Sequence, residues 1–208
     1  MKIIEQSWEW VQKPIMPLET IEMAGRTCYK SEDQITKESA EEFVRMIVKR
    51  GHESVVEHVS ASVRFITNRG VTHELVRHRL CAFSQESTRY VNYGESDIQF
   101  IRPVWIERTK LQILGIENKA IVHWVTACDE SETQYNLLLS EGWRPEQARD
   151  VLPNSLKTEI VVTANLREWR HIFKLRTSKA AHPQIRMLML DCLEGFQKAV
   201  PVIFEDLQ

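Results

Sequence analysis

Residues 77–90 read Arg77-His78-Arg79-Leu80-Cys81-Ala82-Phe83-Ser84-Gln85-Glu86-Ser87-Thr88-Arg89-Tyr90. Three cationic or titratable groups stand side by side at its start. Small polar residues fill 84–88, and Arg89 and Tyr90 close it. Guanidinium forks suit phosphate, while hydroxyls and amides suit the edge of a polar heterocycle, so a nucleotide fits this set. The pattern predicts that Glu74–Arg79 is helical. Consecutive helical side chains point about 100° apart, so Arg77, His78 and Arg79 do not meet on one ligand atom. They serve two ligands, or one ligand and a subunit contact. The alternative is a solvated basic helix end followed by a loop.

The rest of the composition narrows what that stretch can be. The chain has 208 residues, 43% of them hydrophobic, which predicts one folded domain over 1–208 with a sizeable core. Lys and Arg number 27 against 29 Asp and Glu, and a formal charge of -2 argues against a dedicated nucleic-acid binder. The cations near residue 77 are therefore a local feature suited to a small anion. With only 7 glycines the chain has neither GxGxxG nor a Walker loop, so side chains rather than a backbone cradle must hold phosphate. Cys28, Cys81, Cys128 and Cys192 form no CxxC pair and read as reduced thiols of a cytoplasmic protein. The N-terminus lacks a long apolar run, so neither a signal peptide nor a membrane span is expected.

Outward from the motif, periodicity predicts helices over 18–29, about 37–50, about 116–140, a short one between Pro145 and Pro153, 165 to about 176, and 184 to about 198. Thr36 or Ser39 would cap the second and Gly51 stop it, and Asn165 would cap the fifth. Val59, Ala61, Val63 and Phe65 alternate with polar residues and predict a strand with one buried face. Thr158–Thr163 reads as a buried strand, Asp97–Val104 as a short strand, and Ser84–Tyr90 as irregular. Many helices with few strands make the fold class α+β.

Three further constellations carry possible chemistry. Gly51-His52-Glu53-Ser54-Val55-Val56-Glu57-His58 holds two histidines and two acids, but their spacing is not HExxH. It reads as a ligand-touching loop or a structural turn, and no metal is expected. Arg167, His171 and Lys174 recur at helical spacing as a basic face, which equally describes an ordinary amphipathic helix. The position of Cys81 implies no partner base, so a thiolate nucleophile is not expected there. Phe83, Tyr90 and Tyr93 beside the arginines leave base stacking by a non-catalytic RNA-binding protein as a second possibility.

Arg77-His78-Arg79 followed after seven residues by Ser87 resembles the RHRx7S signature of the flavin-dependent thymidylate synthases. Gly51–Ser54 with Glu57-His58, Ala148–Pro153, and Asn165-Leu166-Arg167 with Leu175-Arg176 are similar to further elements of that family, in order across about residues 20–195. The resemblance implies an antiparallel sheet flanked by helices. It also implies methylation of dUMP to dTMP, with methylenetetrahydrofolate as carbon donor and NADPH reducing through FAD. A homotetramer is implied, with no nucleic-acid or membrane partner. By matching position, Ser54, Arg77, His78, Arg79, Gln85, Asn165, Leu166, Arg167 and His171 would contact FAD. Glu74, Arg77, Gln85, Glu86, Ser87, Thr88, Arg89, Arg149 and Arg176 would contact dUMP, with Arg176 activating the uracil and His52 near the flavin. Gln85, His171 and Glu74 stand where some members carry Glu, Asn and Gln.

Overall fold

Strict alternation makes β6 (Lys157–Asn165): Thr158, Ile160, Val162 and Ala164 are buried, and the residues between them are half-buried. The second face is thus partly covered, as befits an interior strand. A computed structural model describes residues 1–95, 97–107 and 118–207. Its strands are β1 (Lys2–Ile4), β2 (Ser7–Gln12), β3 (Ser60–Asn68), β4 (Ala82–Gln85), β5 (Gln99–Ile101) and β6, of which β1 and β2 carry no signal in the sequence reading. A four-stranded sheet has the order β2-β3-β6-β4. The Leu166 N–H donates to the Val59 carbonyl at 2.8 Å, and three residues on in β3 and three back in β6 the Ser62 and Thr163 hydroxyls meet at 2.7 Å. One strand advances as the other retreats, so β3 and β6 are antiparallel. The separate β1–β5 pair is parallel, with Lys2 opposite Gln99 and Ile4 opposite Ile101.

The helices flank these strands. They are α1 (Pro17–Tyr29), α2 (Ser39–Lys49), α3 (Arg69–Leu75), α4 (Lys119–Ser140), α5 (Pro145–Ala148), α6 (Leu166–Arg176), α7 (Pro183–Ala199) and α8 (Pro201–Phe204). The expected start of α4 near Ile116 lies outside the described residues. At α2 neither Thr36 nor Ser39 is the cap: Glu38 holds that position without a side-chain bond. The Ser39 hydroxyl instead donates to the Glu22 carboxylate at 3.0 Å and accepts the Thr36 N–H. Gly51, at φ 72°, ends this helix as expected, since that backbone region suits glycine. Asn68 caps α3 by accepting the Val71 N–H at 2.9 Å, and Asn165 caps α6 by accepting the Glu168 N–H at 2.9 Å.

Two local expectations are corrected. Helix α3 ends at Leu75, so Arg77, His78 and Arg79 lie in the turn beyond it. The Val76 N–H still bonds the Thr72 carbonyl, but the Arg77 N–H reaches back only to Glu74, a tightened last turn. The three side chains diverge nonetheless, with His78 buried and both arginines exposed. Ser84 and Gln85 are strand residues, because β4 forms a sheet edge that local periodicity over four residues is too short to reveal.

The chain divides into two compact units. The first comprises Met1–Ser7, Phe65–Arg77 and Ser84–Ile160, and the second Trp8–Arg64, His78–Phe83 and Val161–Gln208. In the first, Ile98, Phe100, Cys128, Tyr135, Ala148 and Leu156 form a buried cluster under α4 and β5. In the second, Trp169, Phe173, Phe196 and Phe204 pack ring against ring at 4.9–5.9 Å. The buried Arg170 guanidinium holds the C-terminal segment there, donating to Asp206 at 2.6 and 2.7 Å and to the Ile203 carbonyl.

Arg170 holds the Asp206 carboxyl below its ordinary range, so the pair stabilises the fold at neutral pH. Asp206→Ala should cost about 1–3 kcal/mol in urea unfolding at pH 7, less than a fully buried pair because Asp206 is half exposed and Glu53 also faces Arg170. The gap from the unsubstituted chain should close as pH falls below the carboxylate range, where Asp206 is protonated in both states.

Candidate functional site

The sequence-predicted residues separate by unit. In the first, β4 runs into a tight turn in which the Ser87 carbonyl accepts the Tyr90 and Val91 N–H groups and the Ser87 hydroxyl accepts the Arg89 N–H. This turn presents Glu86, Ser87, Thr88 and Arg89 in succession. Arg149 arrives from the end of α5, and its Nη1 donates to the buried Thr88 hydroxyl at 3.2 Å. Arg89 is exposed, 3.7 Å from the Glu146 carboxylate and over the Tyr90 ring at 5.4 Å. Gln85 points its amide at Thr72 and Thr158, with Nε2 donating at 3.0 and 3.3 Å. A Glu here would face two hydroxyls that must then turn to donate, so Gln85 suits the Thr pair as a donor. Glu74 is half-buried on α3, and Arg77 is exposed past its end.

Lys157 joins this set without having been marked in the sequence, and Tyr93 joins it after being marked only as a stacking ring. Lys157 Nζ reaches Glu86 at 3.0 Å and Glu159 at 2.6 Å, and the Tyr93 hydroxyl donates to Glu86 at 2.8 Å. Burial works to neutralise Lys157, but the bonds from Glu159 and Glu86 outweigh it and its pKa is raised. Burial and the Glu86 hydrogen bond also push the Tyr93 phenol well up. These three side chains line a small cleft of about 180 Å³. Tyr93 is thus a hydrogen-bonded, half-buried ring and not a free stacking platform. The one available signal for Lys157 was its position one residue before the β6 alternation.

In the second unit a cleft of about 580 Å³ is lined by Glu53, Glu57, Leu80, Asn165, Arg167, Glu168, Arg170, His171 and Lys174. Helix α6 supplies most of its wall, and the spacing of Arg167, His171 and Lys174 on one face explains why. Arg167 pairs with Glu57 and lies 3.7 Å from Glu53, and Lys174 lies 3.9 Å from Glu53. Glu53 and Glu57, read from sequence as part of a ligand-touching loop or a structural turn, act here as the counter-charges of the α6 cations. Ser54, His52 and Arg79 are exposed. Leu166 is fully buried and its N–H is spent on Val59, so its side chain does not reach the cleft surface.

Beside the cleft, buried His78 and Glu168 stand in line with half-buried Arg176. The Arg176 Nε–H donates to His78 Nε2 at 3.0 Å, and His78 Nδ1 is 3.5 Å from Glu168 Oε1. The His171 ring packs edge-on against His78 at 5.8 Å. Burial, then the charges of Arg176 and His171, lower the His78 pKa to about 4, so the imidazole is neutral at pH 7. An Nε2 that accepts from Arg176 carries a lone pair, which puts the ring proton on Nδ1. His78, Glu168 and His171 offer ligand-type atoms within 4.8 Å of one another, but Arg176 directs a positive charge at the same histidine. Burial pushes the Cys81 thiol up to about 12, so it is no nucleophile at neutral pH.

The residues present fit a flavin dinucleotide. Arg167, Lys174 and His171 place exposed donors along an open cleft, held by acids that an entering phosphate would replace as partners. No glycine cradle is needed for that mode of binding.

Comparison with known proteins agrees in sequence and in fold. The family model described as thymidylate synthase complementing protein matches residues 11–202. A flavin-dependent thymidylate synthase of Mycolicibacterium vanbaalenii is 40% identical over 200 residues, covering 90% of this chain and 78% of the relative. One from Corynebacterium efficiens is 37% identical over 198 residues with the same coverage. The crystal structure of a UMP/dUMP methylase, PolB from Streptomyces cacaoi bound with 5-Br dUMP, superposes with a TM-score of 0.81 at 25% identity, over 99% of this chain and 96% of that one.

The depressed His78 pKa carries a pH signature. The unfolded chain takes up a proton near pH 6.5 that the folded chain refuses until about 4, so this contribution is complete above 6.5 and is lost as pH falls between those values. His78→Gln should remove roughly 1–3 kcal/mol of that acid sensitivity, read as a smaller difference in urea unfolding free energy between pH 7 and pH 4.5.

Proposed function

The chain belongs to the flavin-dependent thymidylate synthase family, and from that premise we propose that it methylates dUMP to dTMP. The overall change is that dUMP, methylenetetrahydrofolate, NADPH and a proton give dTMP, tetrahydrofolate and NADP⁺. FAD, when bound, supplies the two-electron chemistry between NADPH and the nucleotide. The observation that carries this reading is the hydrogen bond from Arg149 to Thr88, which joins an arginine to the Glu86–Arg89 turn across 61 residues of sequence. A guanidinium and a turn rich in hydroxyl and N–H donors together suit a nucleotide phosphate without any glycine loop.

Roles follow from the chemistry of each group. Glu74, Arg77, Gln85, Glu86, Ser87, Thr88, Arg89 and Arg149 serve the nucleotide, Arg77 and Gln85 also touching the flavin. Ser54, His78, Arg79, Asn165, Leu166, Arg167 and His171 hold FAD, Leu166 through its backbone because its side chain is buried. Arg176 offsets the negative charge that develops on the pyrimidine during bond formation at C5. No enzyme thiol takes part, in keeping with the raised Cys81 pKa.

The protein works as a cytoplasmic homotetramer within a single functional domain of 208 residues. Among the described residues no helix is long and apolar enough to cross a membrane. Exposed Leu80, Tyr90 and Trp105, at 78%, 78% and 65%, support burial against further copies.

The purified chain should be yellow or take up FAD, and should oxidise NADPH in a dUMP-dependent manner while forming dTMP. A colourless protein that neither binds added FAD nor forms dTMP would refute the reading. Arg176→Ala should lower turnover by about a hundredfold with FAD retained, whereas Arg77→Ala or Arg79→Ala should loosen FAD. Flavin titration beside steady-state assay separates these effects, and equal flavin loss in all three would contradict the division. Cys81→Ala should keep substantial activity, and complete loss with fold and flavin intact would restore a thiol role.

A further inference from the structure

The line Arg176–His78–Glu168 has a buried member that the reaction has not used. Glu168 is 7% exposed and sits in the first turn of α6, where its own N–H is taken by Asn165. Its carboxylate is 3.5 Å from His78 Nδ1, and on the opposite side of that ring Nε2 accepts the Arg176 Nε–H at 3.0 Å. We propose that Glu168 is a positioning residue for Arg176, acting through His78: its carboxylate, beside Nδ1, favours the tautomer that carries the proton on Nδ1 and leaves Nε2 to accept the Arg176 Nε–H.

This inference rests on the reading that Arg176 acts on the pyrimidine. It follows from the two-sided character of imidazole. A neutral ring has one donor and one acceptor, so occupation of one side selects what the other can do. With Glu168 on Nδ1, the acceptor faces Arg176. Anchored at Nε, the guanidinium has its remaining nitrogens held in one orientation. Without an acceptor beside Nδ1 the ring can carry its proton on Nε2, which repels the Arg176 donor and removes this anchor at Nε. The groups facing His78 from the elements around it are Arg176, His171 and Glu168. Burial and the charge of Arg176 keep the ring neutral, so a shift of tautomer and not of charge is the relevant change. Burial raises the Glu168 pKa against the opposing influence of His171. A carboxyl in either protonation state retains an oxygen able to accept the Nδ1–H.

The test uses the full chain loaded with FAD and two substitutions. Glu168→Met keeps volume and removes the acceptor, while Glu168→Gln keeps an acceptor oxygen. Glu168→Met should lower kcat for dUMP by about tenfold or more with KM changed by less than about threefold, and Glu168→Gln should recover most of it. Independently of turnover, ¹⁵N NMR of histidine-labelled protein, with the His78 signals identified by their loss in His78→Gln, should show protonated Nδ1 in the unsubstituted and Glu168→Gln chains. It should show a mixed or inverted tautomer in Glu168→Met. If Glu168→Met does not fold, Glu168→Ala gives the same comparison. Unchanged kcat and unchanged His78 signals in the acceptor-free variant, with Arg176→Ala inactive, would overturn this inference alone. An Arg176→Ala chain with full dUMP turnover would overturn the reading beneath it. Equal loss in Glu168→Gln and Glu168→Met with the tautomer intact, or stoichiometric zinc uptake abolished by Glu168→Gln, would assign the carboxylate a different role.

Discussion

The bond from the Leu166 N–H to the Val59 carbonyl closes the junction between β6 and α6, and the site in the second unit is built from that junction. It sets the register of β3 against β6, with Ser62 opposite Thr163, and it fixes where the strand stops and the helix begins. Asn165 then turns the chain by capping α6, and every later residue of that helix inherits its direction: Arg167, His171 and Lys174 to the cleft, Trp169 and Phe173 to the core. Asn68 repeats the device at the end of β3, launching α3 toward the turn that holds Arg77 and His78. A strand ending in an asparagine cap is a compact means of delivering polar side chains from a rigid sheet.

A chain without glycine-rich phosphate loops must bind anions with side chains, and long cationic side chains need partners that hold them. The structure meets this need in two ways. At the surface of the second unit, Arg167 pairs with Glu57, and Lys174 lies 3.9 Å from Glu53, where solvent screens both pairs. Beside the cleft, the half-buried Arg176 donates to a neutral histidine. The difference is chemical. A carboxylate partner adds a negative charge beside the guanidinium, whereas an imidazole lone pair accepts its hydrogen bond without adding one.

Much of the frame was legible in the linear pattern. The helical spacing at 18–29, the stop at Gly51, the alternation from Val59 to Phe65 and the cap at Asn165 each report a local force, and each recurs in the fold at nearly the expected bounds. Of the short strands, β5 was expected within 97–104, whereas β1 and β4 did not show themselves. β1, with three residues, owes its existence to its parallel partner β5, 97 positions away, and β4 to a sheet edge. The end of α3 was misjudged because helical propensity continues through Arg77–Arg79 while the backbone tightens after Leu75.

For the site, residue types and spacing by themselves pointed to an anionic, nucleotide-like ligand at Arg77, Arg79, Arg89 and the hydroxyl run, with a solvated basic turn as the alternative. Counting glycines and cysteines excluded a backbone cradle and a CxxC pair. Only the tertiary structure decided the partners: Arg149 on Thr88, Lys157 and Tyr93 on Glu86, and Glu168 on His78 opposite Arg176. The reason is physical. Periodicity records how a side chain stands to its own element within a few residues. A hydrogen bond between groups 61, 71 or 98 positions apart depends on strand register and helix entry, which exist only once the chain has folded.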